Sequence, residues 1–229
     1  MKDKDKKLTS SERMAAKTEG FFAKNYRLIA IIVAVIIVVC IGIGIWSLVS
    51  SNSKEEIANA VYFLEEDYND LLLMDDTSEE YVTACNEFVV EGERILSQVR
   101  SGDYASLKTR YLLGQYHFLN EEWAEALECF DTVANEGDGT YFGSLALANA
   151  AASAENSGDQ DAALAYYNRI WDEYSTEAPE SPKALFNAAR IYESQGDSEL
   201  AVATYSQLAD EFVGSEYAQL AEARLIILE

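Results

Sequence analysis

Residues that carry catalysis and metal binding are scarce in this sequence. His117 is the only histidine, and there are three cysteines among 229 residues. The sequence has no HExxH, no CxxC and no glycine-rich phosphate loop, so the usual residues of metalloproteases, zinc sites, thiol redox sites and nucleotide sites are missing. We therefore expect no enzymatic activity, no cofactor and no metal, and we interpret His117 as a packed side chain.

Basic residues are scarce after position 49. Eight of the 17 Lys and Arg residues but only four of the 40 Asp and Glu residues lie before position 28, which leaves nine basic and 36 acidic residues after the run that follows. A surface this acidic excludes nucleic acid, whose phosphates require basic contacts. It also excludes docking on anionic lipid headgroups, whereas it permits basic partners.

Proline is nearly absent, because Pro179 and Pro182 are the only two in the chain. Long proline-free stretches rich in alanine, leucine and glutamate favour helix. About 180 residues follow position 49, which suffices for one domain with a hydrophobic core. We therefore predict an all-α protein.

An apolar run without a charged residue, Leu28 to Val49, predicts a transmembrane helix of 22 residues. Such a helix would be about 33 Å long and could cross a bilayer core of about 30 Å. Basic residues next to a spanning helix stay on the cytoplasmic side. The excess of basic over acidic residues in 1–27 therefore predicts a cytoplasmic tail at 1–27, a transmembrane helix at 28–49 and an external C-terminal domain.

Other interpretations of this run stay open. Ser50 and Ser51 permit signal-peptide cleavage, although the run exceeds the usual apolar length of about 7–15 residues. A lipoprotein signal at Cys40 is less favoured, because Val39 stands where that signal needs a small residue. The spacing of Ala30 and Ala34 permits close packing against a partner helix, but a purely lipid-facing anchor fits equally well.

A helical hairpin is predicted for residues 53–100. Ser53 and Glu56 have capping-box spacing, and apolar residues from Ile57 to Leu72 then recur on one helical face. The second helix is predicted to begin at Thr77, because Glu80 follows three residues later. We interpret the two helices as an antiparallel pair, and leave open whether it is a divergent repeat or a stalk.

Cys85 and Cys129 are the two cysteines outside the apolar run. Each lies among apolar residues on a predicted helix. A disulfide between them is compatible with an oxidising compartment, but two buried and unreactive thiols fit the pattern better.

From residue 103 the sequence repeats itself at intervals of 37 and 38 residues. Each unit has an alanine followed four residues later by an aromatic side chain: Ala126 and Phe130, Ala163 and Tyr167, Ala201 and Tyr205. A small residue stands twelve positions before each alanine: Gly114, Ala151 and Ala189. Turns at 120–121, 158–159 and 196–197 divide each unit into two helices. Since a single hairpin cannot bury its apolar face, the units are expected to stack into an α-solenoid that ends in a lone helix, 215–228.

This pattern resembles the tetratricopeptide repeat family over residues 103–229. Leu113 and Gly114 agree closely with the family pattern, whereas His117 and Ala154 stand where the family prefers tyrosine. The period also exceeds the usual 34 residues. The resemblance implies three tetratricopeptide-like repeats with a terminal helix, and a function in binding proteins or peptides rather than small-molecule substrates.

The order of the segments is similar to that of the bacterial ancillary Sec translocon subunit family. That family has a short basic tail, one spanning helix and an acidic repeat domain, and residues 19–25 look like its juxtamembrane segment. The resemblance implies a bacterial inner (cytoplasmic) membrane protein with its repeats in the periplasm. It further implies a chaperone-like adapter beside the translocation machinery, with translocon subunits, envelope chaperones and exported chains as partners.

In tetratricopeptide folds the first helix of each repeat lines a concave groove. Carried onto this sequence, that rule predicts a protein-binding groove formed by the following residues: Lys108, Tyr111, Gln115, Phe118, Leu145, Ala148, Asn149, Ala152, Glu155, Lys183, Phe186, Asn187, Arg190 and Glu193. Only Asn149 and Lys183 match the carboxylate clamp of chaperone-binding members. An extended or helical apolar peptide therefore fits this groove better than a C-terminal carboxylate.

Two other functions stay open. The domain could be a structural scaffold of an envelope complex, such as division or motility machinery. It could also be a targeting receptor on an organelle membrane with cytosolic repeats, which would require the orientation prediction to be wrong.

Overall fold

The computed structural model describes residues 53–228 and, before them, the helical positions 25, 27, 35–37 and 39–41. The chain divides into two units, residues 1–56 and 57–229. Most of the predicted tail at 1–27 and of the predicted transmembrane helix at 28–49 lies outside the described residues. Among the described residues, no helix combines the length and apolar character needed to cross a bilayer.

Helices joined by short turns make up the described residues from 53 to 228, which contain no strand. The helices are α1 (53–71), α2 (Glu79–Leu96), α3 (Tyr104–Leu119), α4 (Trp123–Glu136), α5 (Tyr141–Asn156), α6 (Gln160–Tyr174), α7 (Ser181–Ser194), α8 (Ser198–Glu211) and α9 (Glu216–Leu228). The prediction of an all-α fold is confirmed for these residues.

The turns inside the second and third repeats share the dipeptide Gly-Asp. Gly158 and Gly196 have φ angles of +89° and +81°, which suit glycine because it lacks a Cβ. The carboxylates of Asp159 and Asp197 then accept hydrogen bonds from backbone N–H groups in the first turns of α6 and α8, at 3.0 and 3.1 Å. Each turn thus ends one helix and caps the next.

Close helix approach explains the small residues of the repeat. A Cβ on Gly114 would lie 2.8 Å from Cε1 of Phe130, so α3 and α4 could not pack this closely around a larger residue. Ala151 and Ala189 are fully buried at the matching positions of α5 and α7. The small residue and the aromatic ring of a unit therefore fit against each other.

The helices from α3 onward form two rows. Consecutive helices pack against each other throughout, and α3 contacts α5 while α7 contacts α9. These alternate helices form the inner row, and α4, α6 and α8 form the outer row. Buried side chains join the helices in three clusters, one from α1 to α3, one from α3 to α7 and one from α7 to α9.

The N-terminal hairpin differs in detail from its prediction. The N-cap of α2 is Ser78 rather than Thr77, and the Ser78 hydroxyl accepts a hydrogen bond from the N–H of Tyr81 at 3.0 Å. Thr77 instead binds the carboxylate of Asp75, which draws it into the preceding turn. The last predicted apolar position of the first helix, Leu72, lies beyond the end of α1 and is exposed.

The terminal helix α9 packs on α8 through Ala218 and Ala221, which are fully buried. Its opposite side exposes Leu220, Ile226 and Ile227. The lone helix predicted over 215–228 therefore covers α8 and presents apolar side chains on its outer side.

Candidate protein-binding surface

Hydrogen bonds and ion pairs connect the helices of the inner row. In the first repeat the Tyr111 hydroxyl of α3 accepts a hydrogen bond from Nδ2 of Asn149 on α5, at 2.8 Å. Burial raises the pKa of Tyr111 to about 12, although the Asn149 contact acts in the opposite direction. Tyr111 thus stays neutral at physiological pH and fixes α3 to α5.

Glu155 joins α5 to both of the helices that follow it. Its carboxylate accepts hydrogen bonds from the Tyr167 hydroxyl of α6 at 3.4 Å and from Arg190 of α7 at 2.5 Å. Burial, and after it the charge of Glu155, raises the pKa of Tyr167 to about 12. The carboxylate therefore links an inner helix, its outer partner and the next inner helix.

The same arrangement recurs one repeat later around Glu193. Its carboxylate accepts hydrogen bonds from the Tyr205 hydroxyl of α8 at 3.5 Å and from Nε of Arg224 on α9 at 2.8 Å. The hydrogen bond from Arg224 holds the pKa of Glu193 below its usual range. The charges of Glu155 and Glu193 are thus balanced inside the chain before any partner binds.

Lys108 is also engaged within the chain. Its ammonium group lies 2.5 Å from Oε1 of Glu65 on α1, and the lysine side chain is 17% exposed. This ion pair connects the N-terminal hairpin to the first repeat.

Three depressions lie along the inner helices, and predicted groove residues contribute to each of them. The first, of about 330 Å³, is lined by Tyr104, Lys108, Tyr111, Thr140, Tyr141, Phe142 and Leu145. The second, of about 130 Å³, is lined by Tyr68, Gln115, Phe118, Leu119, Phe130 and Asn149. The third, of about 380 Å³, is lined by Phe186, Arg190, Glu193, Ser194, Tyr205 and Arg224.

The remaining predicted groove residues do not line these depressions. Ala148, Ala152 and Asn187 are half-buried. Lys183 is exposed near the start of α7. Glu155 acts in the ion pair with Arg190. Nine of the 14 predicted groove residues thus line a depression, and the other five do not.

Sequence reasoning missed several lining residues at the ends of helices. Tyr104 and Tyr141 are the first residues of α3 and α5, and their side chains are 69% and 70% exposed. They lie 37 residues apart, so the repeat spacing itself could have revealed them. Arg224 was missed because it lies on the terminal helix, for which the sequence predicts only a covering role.

His117 and the two cysteines outside the apolar run take no part in these depressions. Nδ1 of His117 lies 2.6 Å from Oε2 of Glu122, at the turn between α3 and α4. Cys85 is a buried free thiol and Cys129 a half-buried one. Burial raises the pKa of Cys129 to about 11, which keeps this thiol protonated and unreactive at physiological pH.

Comparison with known families identifies the repeat family to which these helices belong. The sequence matches the protein kinase G tetratricopeptide repeat family over residues 89–229, from within α2 to the end of the chain. The chain belongs to this tetratricopeptide repeat family. The match starts before residue 103, where the first repeat was predicted.

Solved structures support the same fold. The chain is similar to a putative kinesin light chain from Podospora anserina with nearly identical TPR-like repeats, at 14% identity and a TM-score of 0.54, over 76% of this chain and 85% of that chain. A singly substituted form of that protein gives 13% identity and a TM-score of 0.53, over 76% and 84%. No curated protein gives a significant match.

These findings establish the type of protein. Tetratricopeptide repeats are typically non-enzymatic scaffolds that bind proteins or peptides, and no catalytic family is indicated. The inner-row depressions are therefore the candidate binding surface.

Proposed function

We propose that this protein is a membrane-anchored adapter that binds other proteins through the inner face of its repeats. The observation that carries the proposal is the row of three depressions on the inner helices, which combines aromatic and charged side chains. Grooves of this kind suit extended or helical segments of a partner.

The membrane part of the proposal rests on the uncharged run Leu28 to Val49 and on the basic residues that precede it. The six described positions in this run, 35–37 and 39–41, are helical and exposed, and their large apolar side chains are 52% to 56% exposed. Exposed apolar side chains over successive helical turns suit a lipid environment. The basic flank favours a cytoplasmic N-terminus and periplasmic repeats.

The proposed mechanism is local concentration. An anchor holds the repeats at the membrane surface and raises their effective concentration for segments that emerge there. The acidic surface favours partners with basic segments, and repels anionic lipid headgroups, so the groove stays accessible. We place the protein beside the translocation machinery of a bacterial inner membrane, with exported chains and envelope chaperones as its partners.

A topology experiment tests the orientation. Alkaline phosphatase, which is active only outside the cytoplasm, and green fluorescent protein are fused in parallel after Leu228 of the full chain. We expect active phosphatase, weak fluorescence and retention in the membrane after carbonate extraction. Strong fluorescence without phosphatase activity would contradict the periplasmic orientation and favour a receptor with cytosolic repeats.

Quantitative co-purification from solubilised membranes tests the role as an adapter. We expect translocon subunits together with many different exported chains, each in less than stoichiometric amount. A single partner at a constant ratio would overturn the adapter role and indicate a structural scaffold of an envelope complex. A chain without residues 1–49, directed to the periplasm by a cleavable signal, is the control for the effect of the anchor.

A further inference from the structure

Four aromatic side chains surround the first depression of the inner row, and we call them the aromatic cup: Tyr104, Tyr111, Tyr141 and Phe142. The ring of Phe142 lies at their centre, with its centroid 5.7 Å from that of Tyr104, 5.6 Å from Tyr141 and 6.0 Å from Tyr111. Phe142 and Tyr111 are buried at the base. Tyr104 and Tyr141 stand at the rim and expose about 70% of their surface.

The cup has little positive charge of its own. Among the described residues, Lys108 is the one cation in its lining, and it is paired with Glu65 at 2.5 Å. Asp103 precedes Tyr104 at the N-cap of α3, but its side chain makes no capping hydrogen bond there, so its carboxylate stays exposed beside the rim. This carboxylate opposes the partial positive charge that the start of α3 would otherwise present.

Negative charge also lies near the base of the cup. Burial is the main cause of the raised pKa of Tyr111, and the charge of Glu180 adds a small further contribution, which indicates that this carboxylate lies in the neighbourhood of the phenol. The Oε2 atom of Glu180 is buried and has no hydrogen-bond partner in the described part of the chain. A cation at the cup would therefore meet aromatic side chains, with the carboxylates of Asp103 and Glu180 nearby rather than in the lining itself.

We propose that the aromatic cup binds the side chain of an arginine or lysine in an extended segment of a partner protein. Aromatic faces attract a guanidinium or ammonium group through the ring quadrupole, and the attraction is strongest where the cation is partly desolvated. The inference rests on the proposed protein-binding function and defines the chemistry that one of its depressions recognises. Acidic segments are excluded because the domain itself is strongly acidic.

The test compares two peptides that differ in charge alone. One is acetyl-Gly-Ser-Leu-Arg-Leu-Ser-Gly-amide and the other has citrulline, which is neutral and of nearly the same shape, in place of arginine. Binding to the full chain in nanodiscs of uncharged phosphatidylcholine is measured by calorimetry at several salt concentrations. We expect the arginine peptide to bind about three- to tenfold more tightly than the citrulline peptide, as expected for one cation–π contact.

Variants of the two rim tyrosines distinguish binding by the aromatic cup from general attraction to the acidic domain. Tyr104→Leu and Tyr141→Leu should each reduce the preference for arginine, whereas Tyr104→Phe and Tyr141→Phe should keep it because the ring remains. Tyr62→Leu changes a tyrosine of α1 that is 57% exposed and lies outside the cup, and should have no effect. If both leucine variants kept the full preference for arginine, general electrostatic attraction would explain it and the cup would be excluded.

A variant that is expected to bind the peptide more tightly shows whether misfolding alone could explain the weaker binding of the leucine variants. Lys108→Gln removes the positive charge of this lysine from the lining and breaks its ion pair with Glu65, so the arginine peptide should bind a few-fold more tightly. Weaker or unchanged binding would contradict the electrostatic account of the cup. Equal binding of the arginine and citrulline peptides to the unaltered chain would overturn the inference, while capture of partners at other inner-row positions would still support the proposed function.

Discussion

At the scale of single residues, Gly143 shows how tightly α5 and α6 are packed. A Cβ at this position would overlap the hydroxyl of Tyr174 and would lie 2.9 Å from the carbonyl oxygen of Gly137. Tyr174 in turn donates a hydrogen bond to Asp138 at 3.4 Å, so the end of α6 and the loop before α5 meet at this glycine.

Gly143→Ala is therefore expected to destabilise the domain by about 1–3 kcal/mol, which is usual for overpacking of a well-packed site. Chemical unfolding followed by circular dichroism measures the change. Tyr174→Phe removes the overlapping hydroxyl, so the double variant should recover part of the loss. Strictly additive effects of the two substitutions would mean that the hydroxyl is not the source of the strain.

Part of this side-chain packing was predictable from the sequence. The roles of Gly114 and Phe130 could be predicted, because a small residue and an aromatic residue recur at these two positions in every unit. The ion pair of Glu155 was less visible. Glu155 recurs as Glu193 at the repeat spacing of 38 residues, but their arginine partners, Arg190 and Arg224, lie only 34 residues apart. Periodicity detects positions that every repeat uses, whereas contacts between particular repeats depend on the curvature of the stack.

At the scale of secondary-structure elements, capping residues decide where helices begin. Both Thr77 and Ser78 can cap a helix, and the acid three residues after Thr77 favoured Thr77 in the sequence. The structure selects Ser78 because the Asp75 carboxylate binds both the N–H and the hydroxyl of Thr77. Such competition between overlapping local hydrogen bonds is not visible in residue spacing.

Ser78→Ala should cost about 1 kcal/mol of stability, because an N–H group in the first turn of α2 loses its partner. Thr77→Ala should cost less, since it leaves the α2 cap intact. The free energies of unfolding of the two variants and the unaltered chain are compared in urea. A larger loss for Thr77→Ala would show that α2 begins one residue earlier.

The ion pair between α7 and α9 predicts how the stability of the domain depends on pH. The hydrogen bond from Arg224 lowers the pKa of Glu193, so the folded state binds this proton less readily than the unfolded state. The pair therefore stabilises the domain above the usual glutamate pKa of about 4.3, and the contribution is lost as the pH falls through the lower folded-state value.

Glu193→Gln should accordingly lower the melting temperature at pH 7, because the free energy of unfolding falls by less than about 1 kcal/mol. The difference in melting temperature between this variant and the unaltered chain should shrink as the pH falls below about 4. Thermal unfolding at several pH values, in dilute protein, measures this trend. Glu222→Gln changes an exposed glutamate of α9 and is the matched control. A difference that stays constant down to about pH 3 would exclude the charge of Glu193 as its cause.

At the scale of the whole molecule, a repeat domain of known type follows an apolar segment that we propose to be a membrane anchor. The fold was predictable because the alanine and aromatic spacing recurs three times and because stacked hairpins bury apolar faces that single hairpins cannot. The depressions were predictable only in part, because Tyr104 and Tyr141 recur at the repeat spacing but are exposed first residues of helices, outside the alanine and aromatic pattern of the core.

The claim that the inner row binds partners is tested most directly by photocrosslinking in intact membranes. A photoreactive amino acid replaces the exposed Tyr141 or Lys183 on the inner helices, and the controls replace Ala165 or Ala203, which are exposed on the outer helices α6 and α8. We expect both inner positions to capture other proteins and both outer positions to capture far less. Equal capture at all four positions, or capture at the outer positions alone, would contradict the assignment of the inner row as the binding surface.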